Sequence, residues 1–178
     1  MVQAVAHLVR EGRREIGMLH GPWRVPFKSG TRKIGIPFVD TQLKVLGFLQ
    51  ALKKRHVPCE QGWLRSASSN SESEGYRVMK NWLREKDIPE AIVCGNDDLA
   101  FGVLKAIRKA GKHVPRDIAV VGFDDNKRAK SFNPPLTTIR QPLRQMGRDA
   151  VDILASQVQR IRHPAARPVS KQYLPKLI

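Results

Sequence analysis

Two clusters of acid and amide side chains follow short apolar runs in this 178-residue chain. Asn96 and Asp97 come after AIVCG, and Asp124 and Asp125 come after IAVVGF. In open α/β sheets ligands bind beyond the carboxyl ends of the strands, so we expect both clusters to face one crevice. Carboxylates accept hydrogen bonds and an amide both donates and accepts, which suits a ligand rich in hydroxyl groups. The other interpretation is that Asn96 and Asp97 only cap the helix that starts near Leu99.

The residues around these clusters predict the elements that position them. Short apolar runs, EIGMLH, AIVC and IAVV, alternate with stretches whose apolar residues recur at helical spacing. This alternation is typical of βαβ units and of a parallel sheet that is covered on both faces. We therefore expect an α/β fold with an open parallel sheet and helices on both faces.

Capping residues and apolar stripes predict where several helices begin and end. The first helix opens the chain and ends at Gly12, and the helix that starts near Leu99 ends at Gly111. Ser71 and Glu74 have the spacing of a capping box ahead of another helix, and a strand is expected between Cys59 and Leu64. A helix from an N-cap at Asp40 would bury a stripe of four leucines: Leu43, Leu46, Leu49 and Leu52.

The composition describes a chain that folds and carries a large positive charge. Hydrophobic residues make up 41%, which excludes collagen-like and wholly disordered classes. Lys and Arg number 32 against 16 Asp and Glu, for a formal net charge of +16. Such a surplus attracts DNA or anionic membranes without sequence preference, but a scattered, solvated surplus explains it equally well.

Cysteine usage and hydropathy predict a cytoplasmic protein. The two cysteines, Cys59 and Cys94, indicate neither a disulfide framework nor a zinc site. No run is long and apolar enough for a membrane span, and the N-terminus lacks the pattern of a signal peptide. We expect no membrane association, no metal and no cofactor.

The longest motif in the chain is AIVCGNDDLAFGVLKAIRKAGKHVPRDIAVVGFDD, continued by PPLTTIRQPLRQMGRDAVDIL. It resembles the effector-sensing domain of LacI/GalR-type transcription regulators, which are related to periplasmic sugar-binding proteins. The family pattern joins a strand ending in AND or GGD to G-x-x-V-P-x-D, then to V-G-[FY]-D and L-T-T-[IV]-x-Q-P. This ordered series is more specific than any single motif, and it implies a periplasmic-binding-protein-like fold.

The resemblance also implies a domain organisation, because the family's sensor has two lobes with the effector between them. Residues 1–142 would be the C-terminal lobe, residues 143–161 a crossover helix of the other lobe, and residues 162–178 a basic tail with the last strand. The remainder of the N-terminal lobe and the DNA-binding headpiece are expected to be missing. Unless it folds onto the remaining lobe, the crossover helix would then expose an apolar stripe: Met146, Ala150, Leu154, Val158 and Ile161.

An atypical basic segment at 23–42 departs from the family pattern. It is longer than the corresponding family segment, and residues 23–38 contain no acidic side chain and show no clean periodicity. It is either a surface insertion or a stretch whose reading frame has been altered.

Effector-binding roles can be carried over at matching positions. Asn96 and Asp124 match family positions that hydrogen-bond the effector, and Gln141 lies in the matching TTIRQP crossover. Lys44 replaces an arginine that the family usually has, and a lysine offers one flexible charge in place of a planar fork. Asn70 stands where the family often has an aromatic residue. Asp97 completes the candidate effector-binding set.

These observations predict the effector-sensing part of a LacI/GalR-type transcription regulator. It would bind a small polar effector such as a sugar, pair with a homologous chain or form a homodimer, and bind DNA only non-specifically. One alternative is a transport-type sugar-binding protein, and another is a gene remnant without independent activity. An enzyme is not expected, because the sequence contains no Walker loop, no G-x-S-x-G and no H-E-x-x-H.

Overall fold

The computed structural model describes residues 1–29, 32–37, 39–160 and 170–178. The helices are α1 (Val2–Arg10), α2 (Val39–Lys54), α3 (Glu72–Trp82), α4 (Asp97–Lys109) and α5 (Leu143–Arg160). The strands are β1 (Ile16–His20), β2 (Arg24–Ser29), β3 (Arg32–Pro37), β4 (Leu64–Ser66), β5 (Ala91–Cys94), β6 (Ala119–Phe123), β7 (Thr137–Arg140) and β8 (Lys176–Leu177).

The centre of the fold is a six-stranded sheet with strand order β4-β1-β5-β6-β7-β8. β4, β1, β5, β6 and β7 pair in parallel, whereas β8 is antiparallel to β7. Helices α1 and α2 pack on one face and α3 and α4 on the other, which creates two apolar cores. The predicted α/β fold is confirmed, with the correction that its last edge strand is antiparallel.

α2 buries a different face from the predicted leucine stripe. Its buried residues are Thr41, Val45, Phe48, Ala51 and Leu52, whereas Leu43 is 63% and Leu46 is 54% exposed. A row with a spacing of three rotates by about 60° per step around a helix of 3.6 residues per turn, so it cannot stay on one face. The helix begins at Val39, which places Asp40 inside the first turn rather than at the N-cap.

Three predicted helix ends are confirmed by the backbone and by the capping contacts. Gly12 follows α1 with φ +85° and Gly111 follows α4 with φ +73°, the left-handed conformation that glycine adopts without strain. Ser71 caps α3 by accepting a hydrogen bond from the backbone N–H of Glu74 at 3.3 Å. The Glu74 carboxylate accepts from the backbone N–H of Ser68 at 2.9 Å, so only half of the capping box forms.

Two irregular segments differ from the sequence-based expectation. The strand expected over 59–64 begins later, because a 3₁₀ turn occupies Gln61–Trp63 before β4. The basic segment contains the antiparallel hairpin β2–β3, and its last four residues belong to α2. Alternating apolar residues, Val25 with Phe27 and Ile34 with Ile36, indicate two strands, so the expected lack of periodicity in this segment is wrong. Both explanations of the segment's origin remain hypotheses.

Glycine sets the distance between α3 and α4. A Cβ atom added at Gly102 would lie 2.1 Å from the carbonyl oxygen of Glu72, and one at Gly75 would lie 2.2 Å from that of Leu99. The backbones of the two helices therefore touch where any larger residue would separate them.

α5 packs against the C-terminal segment and leaves its apolar stripe in solvent. Its buried residue Asp149 accepts hydrogen bonds from Tyr173 Oη at 2.7 Å and from Gln145 Nε2 at 3.1 Å. Leu154 and Val158 are exposed, Ala150 is exposed as well, and Met146 is half-buried. Ile161 lies outside the described residues. The expected exposed face is thus present, and α5 does not fold back onto the core of the lobe.

Candidate binding cleft

A polar cleft of about 270 Å³ lies at the carboxyl edge of the sheet. The ends of β1, β5, β6 and β7 contribute to it, together with the first turns of α2 and the loop before α3. The lining residues are His20, Gly21, Asp40, Thr41, Lys44, Asn70, Gly95, Asn96, Asp124 and Gln141. Four of the five residues proposed from the sequence line this cleft, and Asp97 does not.

Asp124 is held in an unusual conformation at the end of β6. Its φ is +119°, a value that L residues rarely adopt and that costs backbone strain. Its N–H donates to the carbonyl of Ile139 at 2.9 Å, and its Oδ1 accepts from Gln141 Nε2 at 2.8 Å. Burial raises the pKa of the Asp124 carboxyl, while Lys44 and the hydrogen bond from Gln141 oppose the rise. The residue following β6 is thus tied to the residue following β7.

Asn96 caps α4 and also lines the cleft. Its Oδ1 accepts from the backbone N–H of Leu99 at 2.8 Å, and its Nδ2 donates to the carbonyl of Asn70 at 3.1 Å. Asn70 in turn packs on Gly21, where a Cβ atom would lie 1.9 Å from Asn70 Oδ1. The capping and lining interpretations of Asn96 are therefore both compatible with its position.

Asp97 lies behind the cleft and is only 1% exposed. Thr138 Oγ1 donates to its Oδ1 at 2.6 Å, and the backbone N–H of Asn126 donates to its Oδ2 at 2.6 Å. Burial raises the pKa of this carboxyl, and the two hydrogen bonds oppose the rise. Its contacts link α4 to β7 and to the loop after β6, so it positions the segment that carries Asp124.

The ammonium group of Lys44 is held by the protein itself. Lys44 Nζ lies 2.8 Å from Asp40 Oδ2, donates to the carbonyl of Gly95 at 3.1 Å and lies 4.2 Å from the centroid of the Phe123 ring. These contacts leave the lysine little freedom to grip a ligand. These contacts agree with the expectation that a lysine at this position grips a ligand less firmly than an arginine would.

Sequence reasoning missed His20 and Thr41, among other lining residues. The signal for His20 was available, because it directly ends the apolar run EIGMLH as Asn96 and Asp124 follow theirs. Its Nδ1 lies 2.6 Å from the carbonyl oxygen of Gly21, and burial lowers its pKa. Thr41 could be found only with the correct buried face of α2.

Residues 1–29, 32–37, 39–160 and 170–178 contain no group of three or more His, Cys, Asp or Glu side chains arranged to hold a metal ion. None of the helices described is both long enough and apolar enough to cross a membrane.

A family model described as a periplasmic binding protein-like domain matches residues 5–178. The chain belongs to this family. Among the family's members it is an effector-binding domain of the LacI/GalR type, as its similarity to both curated and solved proteins of that type shows.

The HTH-type transcriptional repressor PurR of Klebsiella pneumoniae is 33% identical over 152 residues, which cover 85% of this chain and 40% of the repressor. The chain thus spans less than half the length of that relative. A LacI-family regulatory protein from Chloroflexus aggregans superimposes with a TM-score of 0.81 at 27% identity, covering 99% of this chain and 57% of that structure. The Lac repressor dimer bound to operator and the anti-inducer ONPF superimposes with a TM-score of 0.76 at 30% identity, covering 89% and 50%.

Proposed function

We propose that this chain is the effector-sensing part of a LacI/GalR-type transcription regulator and binds a small polar ligand, such as a sugar, in the cleft. One observation carries the proposal: residues from the ends of four strands and from α2 converge on a single polar cavity. Asn96, Asp124 and Gln141 are the proposed effector contacts, Lys44 lines the cleft beside them, and Asp97 supports them from behind. Regulators of this type act on DNA, so we infer that the protein works in the cytoplasm.

A binding role fits the lining better than catalysis does. The ten described lining residues include no serine or cysteine nucleophile. Asp124 and Gln141 are bonded to each other, and Lys44 is bonded to Asp40, so their geometry favours recognition by hydrogen bonds. The relatives of known role are named as transcriptional repressors, which agrees with a protein that is not an enzyme.

Calorimetry against a panel of sugars tests this proposal directly. We expect weak binding, in the millimolar range, because a cleft that covers a ligand on one side buries less of it than an enclosed pocket does. Asp124→Ala should abolish the heat of binding, whereas Asp117→Ala, a change at an exposed ion pair far from the cleft, should preserve it. Tight binding that survives Asp124→Ala would show that the site has been placed wrongly.

We further propose that the chain binds DNA only through phosphates. Its net charge of +16 favours contact with any duplex, and such binding weakens steeply as salt is added. Two unrelated duplexes should bind with equal affinity at low salt, and both affinities should fall by the same factor at physiological salt. A footprint at one defined sequence that persists in raised salt would contradict this expectation.

A further inference from the structure

The charge of the cleft is opposite to that of the chain. Asp40 and Asp124 are the lining carboxylates and Lys44 the lining ammonium. Burial lowers the pKa of His20 and keeps its imidazole neutral at pH 7. Two negative charges and one positive charge leave the described lining at −1, in a chain whose net charge is +16. Charges beyond about 8 Å are screened at physiological ionic strength, so the positive surplus scattered over the surface acts on a ligand less than the charges of the lining do.

The cation of the cleft is already engaged by protein groups. Lys44 faces Asp40 Oδ2 at 2.8 Å, the Gly95 carbonyl at 3.1 Å and the Phe123 ring at 4.2 Å. A ligand carboxylate or phosphate would have to displace these contacts to pair with it. It would also lie near the Asp124 carboxylate, which repels an anion.

Unused polar atoms of the cleft complement a ligand that donates hydrogen bonds. Asp124 Oδ1 accepts from Gln141, while Oδ2 accepts no hydrogen bond from any residue that the structure describes. Thr41 is only 4% exposed yet lines the cleft, and its hydroxyl forms no hydrogen bond within the described ranges. Thr41 can both donate to and accept from a ligand hydroxyl.

Resting on the proposed function, we propose that the cleft selects a single hydroxylated ring that carries a protonated amine, that is, an amino sugar. Asp124 receives the ammonium group, and Thr41 with Asn96 binds ring hydroxyls. The cavity of about 270 Å³ lies just below the range of roughly 300 to 1,000 Å³ for drug-sized ligands, so the part of a ligand that it covers is about one ring.

Matched ligands test the charge preference without changing ring size. The probes are glucose, galactose and mannose, their 2-amino-2-deoxy counterparts, and glucose 6-phosphate, titrated by calorimetry below the amine pKa. For at least one pair we expect the amino sugar to bind about tenfold more tightly than the neutral sugar, and the phosphate to bind most weakly. Asp124→Asn should reduce the preference to about twofold or less.

Asp125→Asn is the matched control. Asp125 neighbours Asp124 in the chain, but its carboxylate pairs with Arg140 and does not line the cleft, so the amino-sugar preference should persist. Circular dichroism of each variant establishes that it is folded. The comparison of amino sugars with neutral sugars needs only the unmodified protein, so it does not depend on the folding of any variant.

Each outcome separates the two proposals. Equal or tighter binding of the neutral sugars, or tightest binding of the phosphate, overturns the amino-sugar inference and leaves effector binding intact. If the preference for amino sugars survives Asp124→Asn, Asp124 is not the residue that receives the ammonium group, and the inference is overturned as well. If none of the seven compounds binds, the sugar-binding function fails together with the inference.

Discussion

The exposed stripe of α5 predicts that this chain associates with a second copy or a homologous chain. Val151, which lies beside the stripe, is 66% exposed, and Leu154 and Val158 on the stripe are 62% and 60% exposed. Burying such a side chain completely contributes about 1.5 to 3 kcal/mol, so covering the exposed part contributes about 1 to 2 kcal/mol each. A pair of chains covering all six side chains would gain about 6 to 12 kcal/mol.

Association has a cost that brings this gain close to balance. The loss of translational and rotational freedom opposes binding by about 4 to 15 kcal/mol, and the like charge of two chains adds to that. The largest gain, about 12 kcal/mol, less the smallest cost, about 4 kcal/mol, leaves about 8 kcal/mol, so we expect a dissociation constant no tighter than micromolar. Sedimentation velocity over a concentration series measures it.

The test variant combines Leu154→Glu with Val158→Glu, which removes apolar surface and changes the charge by two units. Arg148→Glu changes the charge by the same two units at an exposed position off the stripe, so it separates packing from charge. The double variant should remain monomeric and keep its circular dichroism, and the control should still associate. A monomeric unmodified chain, with a double variant that unfolds cooperatively, would show that α5 belongs to the core of this lobe.

Three further outcomes test the packing. Asp97→Asn should lower the free energy of unfolding by about 1 to 3 kcal/mol, since its amide would face two hydrogen-bond donors; chemical denaturation that shows unchanged stability would contradict its buried role. Gly102→Ala should destabilise the fold by about 1 to 3 kcal/mol, because the added Cβ would meet the backbone of α3. Gly147→Ala is the control: open space surrounds this glycine, so the substitution should stabilise by about 0.4 to 1 kcal/mol. Thermal melts of both variants measure these changes. Hydrogen bonds from Arg77 and Ser68 lower the pKa of Glu74 to about 2. Its contribution to stability is therefore present above about pH 4.5 and lost towards pH 2, so Glu74→Gln should destabilise at pH 6 and match the unmodified protein in strong acid.

Sequence patterns predicted much of the fold because residues that are close together in the chain determine several of its elements. Continuous apolar runs identify β5 and β6, and glycines after α1 and α4 mark ends that require a left-handed residue. α2 shows where such patterns fail. Three of its four leucines are exposed, and the number of leucines alone does not show that Phe48 rather than Leu46 faces the sheet.

Residues of the cleft were predictable where a polar side chain directly follows an apolar strand. Asn96 and Asp124 were found because each follows an apolar run, and the same rule applied to EIGMLH would have added His20. Asp97 shares the motif with Asn96, but the two side chains leave the backbone in different directions. The hydrogen bonds of Asp97 to Thr138 and Asn126 span 41 and 29 positions of the chain, which no local pattern reveals.

The hydrogen bond between Gln141 and Asp124 has a mechanical consequence, because Gln141 is two residues from the start of α5. The backbone N–H of Leu143 donates to the carbonyl of Gln141 at 2.8 Å, which joins the end of β7 to the first turn of the helix. The helix has 18 residues and is about 27 Å long, at 1.5 Å per residue. A tilt of about 5° at Gln141 would shift its far end by roughly 2 Å, so α5 would amplify small displacements at the Asp124 side chain.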